Sequence, residues 1–193
     1  MLTQWNFMKV VFGGNWMKTH QKVYKLASSF LQYPQKEWIT NLSELKQEMN
    51  KMKDSSVNAY LNSFIHYLET TPFRELCEKY VKTFDFHGIA CLNLTYHVFK
   101  DSRERGQALV KLRQLFKESE LMIESDELPD YLPLILEFLA IADEKHAKRI
   151  LKLHLNSIKK LEERLSEKKS PYHFLIKATV DVSSEIMNNK NAS

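Results

Sequence analysis

The run Glu127-Leu128-Pro129-Asp130-Tyr131-Leu132-Pro133 leads straight into Leu134-Ile135-Leu136-Glu137-Phe138-Leu139-Ala140, and it constrains the fold more than any other stretch. Pro133 lacks a backbone N–H, so it is tolerated in a first helical turn, where that donor has no intrahelical partner, and poorly any deeper. Asp130 is of the residue type that caps helix N-termini, so the run predicts an apolar helix that starts rigidly behind it. Pro129 and Pro133 also bias Leu128 and Leu132 toward extended backbone, which presents the carboxylates of Glu127 and Asp130 from a stiff corner. A helix start alone accounts for the prolines and Asp130. It does not require Glu127 or Tyr131, which therefore count as candidate functional residues.

The remaining segments read as helices on spacing. Val23, Leu26, Ala27, Phe30 and Leu31 recur at steps of three and four until Tyr33-Pro34 ends the pattern. Trp38, Leu42, Leu45, Met49 and Met52 predict a second helix with a polar outer face. Asp54-Ser55-Ser56 supplies a cap for a third helix through Val57, Leu61, Phe64 and Leu68, and Thr71-Pro72 opens a fourth through Phe73, Leu76, Tyr80 and Phe84. Phe84-Asp85-Phe86-His87-Gly88 breaks the pattern as a corner. A short helix over Leu92 to Phe99 follows, then one capped by Asp101, with Glu104 completing a near capping box. An acidic linker, Glu118 to Asp126, joins it to the proline-flanked helix. Beyond that lie a long Lys- and Glu-rich helix through Leu165, a last short helix opened by Ser170-Pro171, and a tail from Asn188 expected to fray.

Four glycines and five prolines are too few for a turn-rich β-sandwich, so the expected fold class is all-α: a single-domain bundle of about eight to nine helices over residues 17–187. Residues 188–193 are the tail, and residues 1–16 are expected to be a non-native or disordered extension. Gly13-Gly14 require GGN codons just upstream of the Met17 codon, where a bacterial ribosome-binding sequence would lie, so Met17 is the expected start. The apolar run before it is too short for a signal sequence, and no stretch approaches the ~20 apolar residues of a membrane helix. Together with two cysteines that make no disulfide framework, this implies a cytoplasmic protein without direct membrane insertion. The formal charge of +4 is spread among lysines and acids, which argues against nucleic acid as a partner.

Catalytic signatures are missing: there is no nucleophile elbow, phosphate-cradling loop or dinucleotide fingerprint. Cys77, His87, Cys91 and His97 lack zinc-site spacing, and Asp143 with His146 and His154 lacks the repeat a di-iron bundle needs, so no metal site is expected. What remains is acids beside aromatics: Asp85 between Phe84 and Phe86, and Glu127 and Asp130 beside Tyr131. Such groups suit a basic, partly apolar peptide, because carboxylates pair with Arg forks while aromatic surface receives the side-chain body. The expected activity is peptide binding, not catalysis.

Tyr80-Val81-x-Thr83-Phe84-Asp85-Phe86, Cys91-Leu92-x-Leu94-Thr95-Tyr96, Asp101-x-Arg103-x-Arg105-Gly106-x-Ala108-Leu109 and Glu127-Leu128-Pro129-Asp130-Tyr131-Leu132-Pro133-Leu134-x-Leu136-Glu137-Phe138 together resemble the NarJ family. These are nitrate reductase molybdenum cofactor assembly chaperones, a branch of the TorD-like redox-enzyme maturation proteins. The ordered resemblance spans Val23 to Leu165. It implies a TorD-like all-helical fold and a chaperone that binds the apo catalytic (alpha) subunit of respiratory nitrate reductase, including its N-terminal segment. It also implies that the chaperone assists molybdenum cofactor insertion while binding no cofactor stably itself. A sibling chaperone for another molybdoenzyme, binding a true twin-arginine signal peptide, is the alternative. By position, the resemblance implies a client-facing set of Asp85, Phe86, Tyr96, Arg103, Arg105, Glu127, Pro129, Asp130 and Tyr131. The corner at Asp85 and the helix start at Asp130 should form one groove. The family commonly has Gly-Asp ahead of Arg-x-Arg-Gly, whereas Lys100 precedes Asp101 here, which weakens the case for positive φ at that position.

Overall fold

The computed structural model describes residues 17–52, 54–85, 90–119 and 126–188. The expectations for the N-terminal extension, for Phe86, His87 and Gly88, and for the tail beyond Asn188 fall outside these residues. Among the described residues the chain forms helices and no sheet, apart from one isolated antiparallel bridge between Asn93 and Tyr131.

The helices are α1 (Thr19–Phe30), α2 (Lys36–Thr40), α3 (Leu42–Met49), α4 (Ser55–Thr70), α5 (Phe73–Phe84), α6 (Tyr96–Phe99), α7 (Arg103–Glu118), α8 (Leu132–Ile141), α9 (Glu144–Glu167) and α10 (Tyr172–Asn188). The bundle is built around α8. Leu132, Pro133, Ile135, Leu136, Phe138, Leu139 and Ala140 are all buried, so this helix is dry nearly all round, as its almost unbroken apolar sequence requires. Helix α1 lies along it, and Ser28 Oγ donates to the Pro133 carbonyl at 2.8 Å while Lys25 pairs with Glu137 at 3.2 Å. Helix α10 packs on α9, α4 and α1, closing the core. Helix α5 is held chiefly through side chains: Leu76, Tyr80 and Phe84 are buried, and Phe84 meets Tyr172 edge-on at 4.9 Å.

Several boundaries differ from the spacing argument. The second helix divides at Asn41, whose side chain donates to the Glu37 carbonyl at 2.6 Å and so competes with the backbone for its acceptor. Pro72 is the cap of α5, not its first helical residue. The residue flanking α7 is Ser102 rather than Asp101, and the Asp101 carboxylate instead lies 4.0 Å from Arg105. The last helix is not short: Val180, Val182 and Ile186 keep the buried stripe going to Asn188. These divisions raise the number of helices to ten among the described residues. Asp54 does cap its helix, accepting from Ser56 N and Val57 N.

Candidate functional site

The largest departure from expectation is Asp130. It does not cap α8: with Pro133 in the first helical turn the helix starts at Leu132, Tyr131 becomes the capping position, and no side chain caps it. Asp130 is also 0% exposed, so its carboxylate is not a surface group. A buried carboxylate needs hydrogen bonds from several sides, and this one has them. It accepts from Asn93 Nδ2 at 3.0 Å, from Thr95 N at 3.1 Å and from Thr95 Oγ1, and it lies 3.6 Å from Arg105 Nη2. Arg105 Nε donates to Thr95 Oγ1 at 3.2 Å, so one hydroxyl bridges acid and base. Leu94 N donates to the Asp130 carbonyl at 3.0 Å and Leu132 N to the Leu92 carbonyl at 2.8 Å. The segment from Leu92 to Thr95 is thereby strapped across the start of α8.

Two histidines flank this knot from other elements. His97 Nε2–H donates to the Cys91 carbonyl at 2.6 Å, which leaves Nδ1 to accept from Arg164 Nη1 at 2.8 Å. Burial, with Arg164 and Lys100 adding to it, holds His97 below the ordinary imidazole pKa. His154, on the inner face of α9, is buried with Nε2 unpartnered among the described groups, and desolvation lowers its pKa to about 4 despite the nearby Asp130 charge. Lys100 adopts φ 52°, ψ −136°, so the corner does take positive φ even without glycine. Its ammonium stands 5.3 Å from the centre of the Tyr96 ring, and the Arg105 guanidinium 5.5 Å.

Outside the knot lies an exposed acid and aromatic surface. Burial raises the pKa of the half-buried Tyr131 phenol, and the charges of Glu127 and Asp85 add to the effect. Those two carboxylates therefore both come within electrostatic reach of one tyrosine. The Tyr131 phenol lies against that of Tyr80, whose own hydroxyl donates to the Leu31 carbonyl at 3.0 Å. Tyr33, 53% exposed, meets the Tyr80 ring edge-on at 5.7 Å. Its pKa is raised by pairing with Cys77 and, further off, by Asp85.

The structure thus sorts the expected set. Asp85 and Glu127 are exposed beside the half-buried Tyr131. Asp130 and Pro129 are buried; the half-buried Arg105 pairs with Asp130 and stands over the half-buried Tyr96 ring. Arg103 is exposed in the first turn of α7, and residues two apart on a helix point away from each other, so it does not share the position of Arg105. Phe86 lies outside the described residues. Sequence reading missed Tyr33, Tyr80, Asn93, Thr95 and His154. Tyr33-Pro34 was legible as a helix stop and Tyr80 as a core position. No local pattern marks Asn93 or Thr95, because their acceptor is more than thirty residues away.

A cleft of about 820 Å³ opens elsewhere, at the starts of α1 and α9, lined by Lys18, His20, Asp54, Ile141 and Glu144 among others. Among the described residues no cluster of His, Cys, Asp and Glu could hold a metal ion, and no helix is long and apolar enough to cross a membrane.

The model of the family described as "Nitrate reductase delta subunit" matches residues 50–176. The chain is 32% identical over 159 residues to "Probable nitrate reductase molybdenum cofactor assembly chaperone NarJ" of Bacillus subtilis (strain 168), covering 81% of this chain and 85% of that protein. It is 33% identical over 156 residues to "Nitrate reductase molybdenum cofactor assembly chaperone NarJ" of Escherichia coli (strain K12), covering 78% and 64% respectively. It is 29% identical over 165 residues to "Nitrate reductase-like protein NarX" of Mycobacterium tuberculosis (strain ATCC 25618 / H37Rv), of which it spans 24%.

Proposed function

The chain belongs to the nitrate reductase delta subunit family, whose members are assembly chaperones rather than catalysts, and on that premise we propose how it works. It is a cytoplasmic chaperone that binds the apo catalytic subunit of respiratory nitrate reductase, including that subunit's N-terminal segment. It holds the subunit for molybdenum cofactor insertion before membrane docking, and keeps no cofactor of its own.

The observation that carries this reading is that Asp85 and Glu127 are both exposed and that the charge of each reaches the half-buried Tyr131. Two exposed carboxylates beside half-buried tyrosines can pair with the Arg or Lys of a client segment while the rings receive its aliphatic and aromatic side chains. Tyr33 extends that surface, and Phe86 stays in the client-facing set. Arg105, Tyr96, Pro129 and Asp130 act from behind, holding Tyr131 and Glu127 in place. Arg103 contributes at the edge.

The test is a pull-down from nitrate-grown anaerobic cells, followed by calorimetry against the N-terminal peptide of the recovered molybdoenzyme subunit. Asp85→Lys with Glu127→Lys is expected to weaken peptide binding by about tenfold or more, on the order of 1.4 kcal/mol, with unfolding unchanged. Binding that survives the double charge reversal overturns the acidic surface. Recovery of a different molybdoenzyme keeps the fold and replaces the client.

A further inference from the structure

We propose that Thr95 is a positioning residue for client binding: its hydroxyl, shared between Asp130 and Arg105, holds Tyr131 in the place where the client meets it. The inference rests on the client reading above and adds the residue on which the shape of that surface depends. Thr95 is 3% exposed, so it touches no client itself. It flanks the start of α6, where a threonine side chain ordinarily accepts from the backbone of the first turn. Here it makes no such bond. Thr95 Oγ1 instead donates to the Asp130 carboxylate and accepts from Arg105 Nε at 3.2 Å.

That one oxygen joins three elements: the strap itself, the first turn of α7 through Arg105, and the residues leading into α8 through Asp130. Tyr131 follows Asp130 and stands opposite Asn93, and the strap grips it from both sides. Leu94 N donates to the Asp130 carbonyl at 3.0 Å, and Leu132 N donates to the Leu92 carbonyl at 2.8 Å. At its other end the Tyr131 phenol lies against Tyr80. The place of the ring is thus set by backbone at one end and by a neighbouring phenol at the other, and its disposition toward Asp85 and Glu127 follows from both.

A threonine that merely filled the core would be replaceable by valine, which has nearly the same shape. The contacts argue otherwise. Asp130 has other donors, Asn93 Nδ2 at 3.0 Å and Thr95 N at 3.1 Å, and a valine would keep both. What valine loses is the hydroxyl that bonds acid and base together. The contact between Arg105 Nη2 and Asp130, at 3.6 Å, is too long for a direct hydrogen bond, so the hydroxyl supplies the directional link. Without it the Asp130 side chain is free to turn, and the adjoining Tyr131 with it. A surface that must be ordered on binding holds its ligand more weakly than one already in shape.

The test uses the full chain with its tyrosines labelled at the ring carbon that bears the hydroxyl, and reads the Tyr131 resonance, assigned with Tyr131→Phe, by NMR in the absence of peptide. Calorimetry against the N-terminal peptide of the nitrate reductase catalytic subunit then gives the affinity. Thr95→Val is expected to shift the Tyr131 resonance and to weaken binding by about tenfold, the scale of one lost buried hydrogen bond. Thr95→Ser keeps the hydroxyl and should match wild type in both readouts, which a requirement for the threonine's shape alone would not produce. If Thr95→Val does not fold, Thr95→Ala, which leaves a gap instead of a methyl group against the carboxylate, takes its place with the same expectations. An unmoved Tyr131 resonance overturns the proposal, as does wild-type affinity in the valine variant or a serine variant that behaves like valine. A wild-type chain that does not bind the peptide overturns the client reading and this inference with it, whereas the other outcomes leave that reading standing.

Discussion

The two corners at the ends of α8 begin with the same chemistry and use it in opposite ways. Asp143, at the far end, is exposed and caps α9 in the ordinary manner, accepting from His146 N at 2.9 Å and facing His146 Nδ1 at 2.8 Å. Asp130, at the near end, is buried and caps nothing; its carboxylate turns back to Asn93, Thr95 and Arg105. What separates them is the surroundings. The Asp143 corner opens to solvent between two helices, so the nearest unsatisfied donors are the helix's own N–H groups. The Asp130 corner leads into a helix dry on nearly all sides, and the chain crossing it offers donors that water cannot replace. An acid ahead of a helix is therefore a cap where solvent reaches it and a cross-link where it does not.

That difference is sharpest in how each acid tolerates removal. Asp130→Ala leaves Arg105 and the donors of Thr95 and Asn93 without their acceptor, and breaking one side of a buried ion pair costs about 3–5 kcal/mol. Asp130→Lys places a second cation beside Arg105 and is expected to unfold the chain. Asp143→Ala should cost about 1 kcal/mol, the ordinary cost of losing a cap. Urea unfolding of the three proteins reads all of this at once, and equal midpoints for Asp130→Ala and Asp143→Ala would abolish the distinction.

Acid titration breaks the comparison from another side. His154 has a folded-state pKa of about 4 against an ordinary value of 6.5, because burial disfavours its charged form. The unfolded chain takes up that proton near pH 6.5 and the folded chain resists it, so the contribution is fully present above pH 6.5 and is lost as pH falls toward 4. At about 1.4 kcal/mol per pKa unit the loss amounts to about 3 kcal/mol, and His97, shifted in the same direction, steepens it. The Asp143 carboxyl is held below its usual range by the His146 backbone and ring, so its contribution is lost only at lower pH. His154→Gln should flatten the dependence of stability on pH between 6.5 and 4. An unchanged slope would place the acid sensitivity elsewhere.

The all-helical class, the apolar faces of α1, α4 and α9, and the Asp54 cap were legible because each depends on residues a few positions apart. That the charges of Asp85 and Glu127 both reach Tyr131 was not legible from spacing, since no periodicity connects the two segments. Asp130 was misread for a physical reason: a carboxylate before a proline-led helix has the same local sequence whether it faces solvent or the Leu92–Thr95 strap. Distinguishing those cases requires knowing that Thr95 crosses there. The break at Asn41 was missed because the apolar spacing continues smoothly through a residue that breaks the helix with its own side chain.

The smallest expected effect tests the strap itself. Lys100 holds φ 52° next to the residues that cross Asp130, whereas the Asp143 corner has ordinary φ. A side chain in that region costs about 1–2 kcal/mol relative to glycine, while Lys100 regains part of it by standing over the Tyr96 ring. Glycine also loosens the unfolded chain, which takes back several tenths of a kcal/mol. Lys100→Gly should therefore raise stability by only about 0.5 kcal/mol, measured by the urea midpoint, with Lys100→Ala falling below wild type because it keeps the strain and loses the ring contact. If alanine proves as stable as lysine, the ring contact contributes nothing. If glycine proves worse than both, the strap is not strained, and the near corner of α8 is held as easily as the far one.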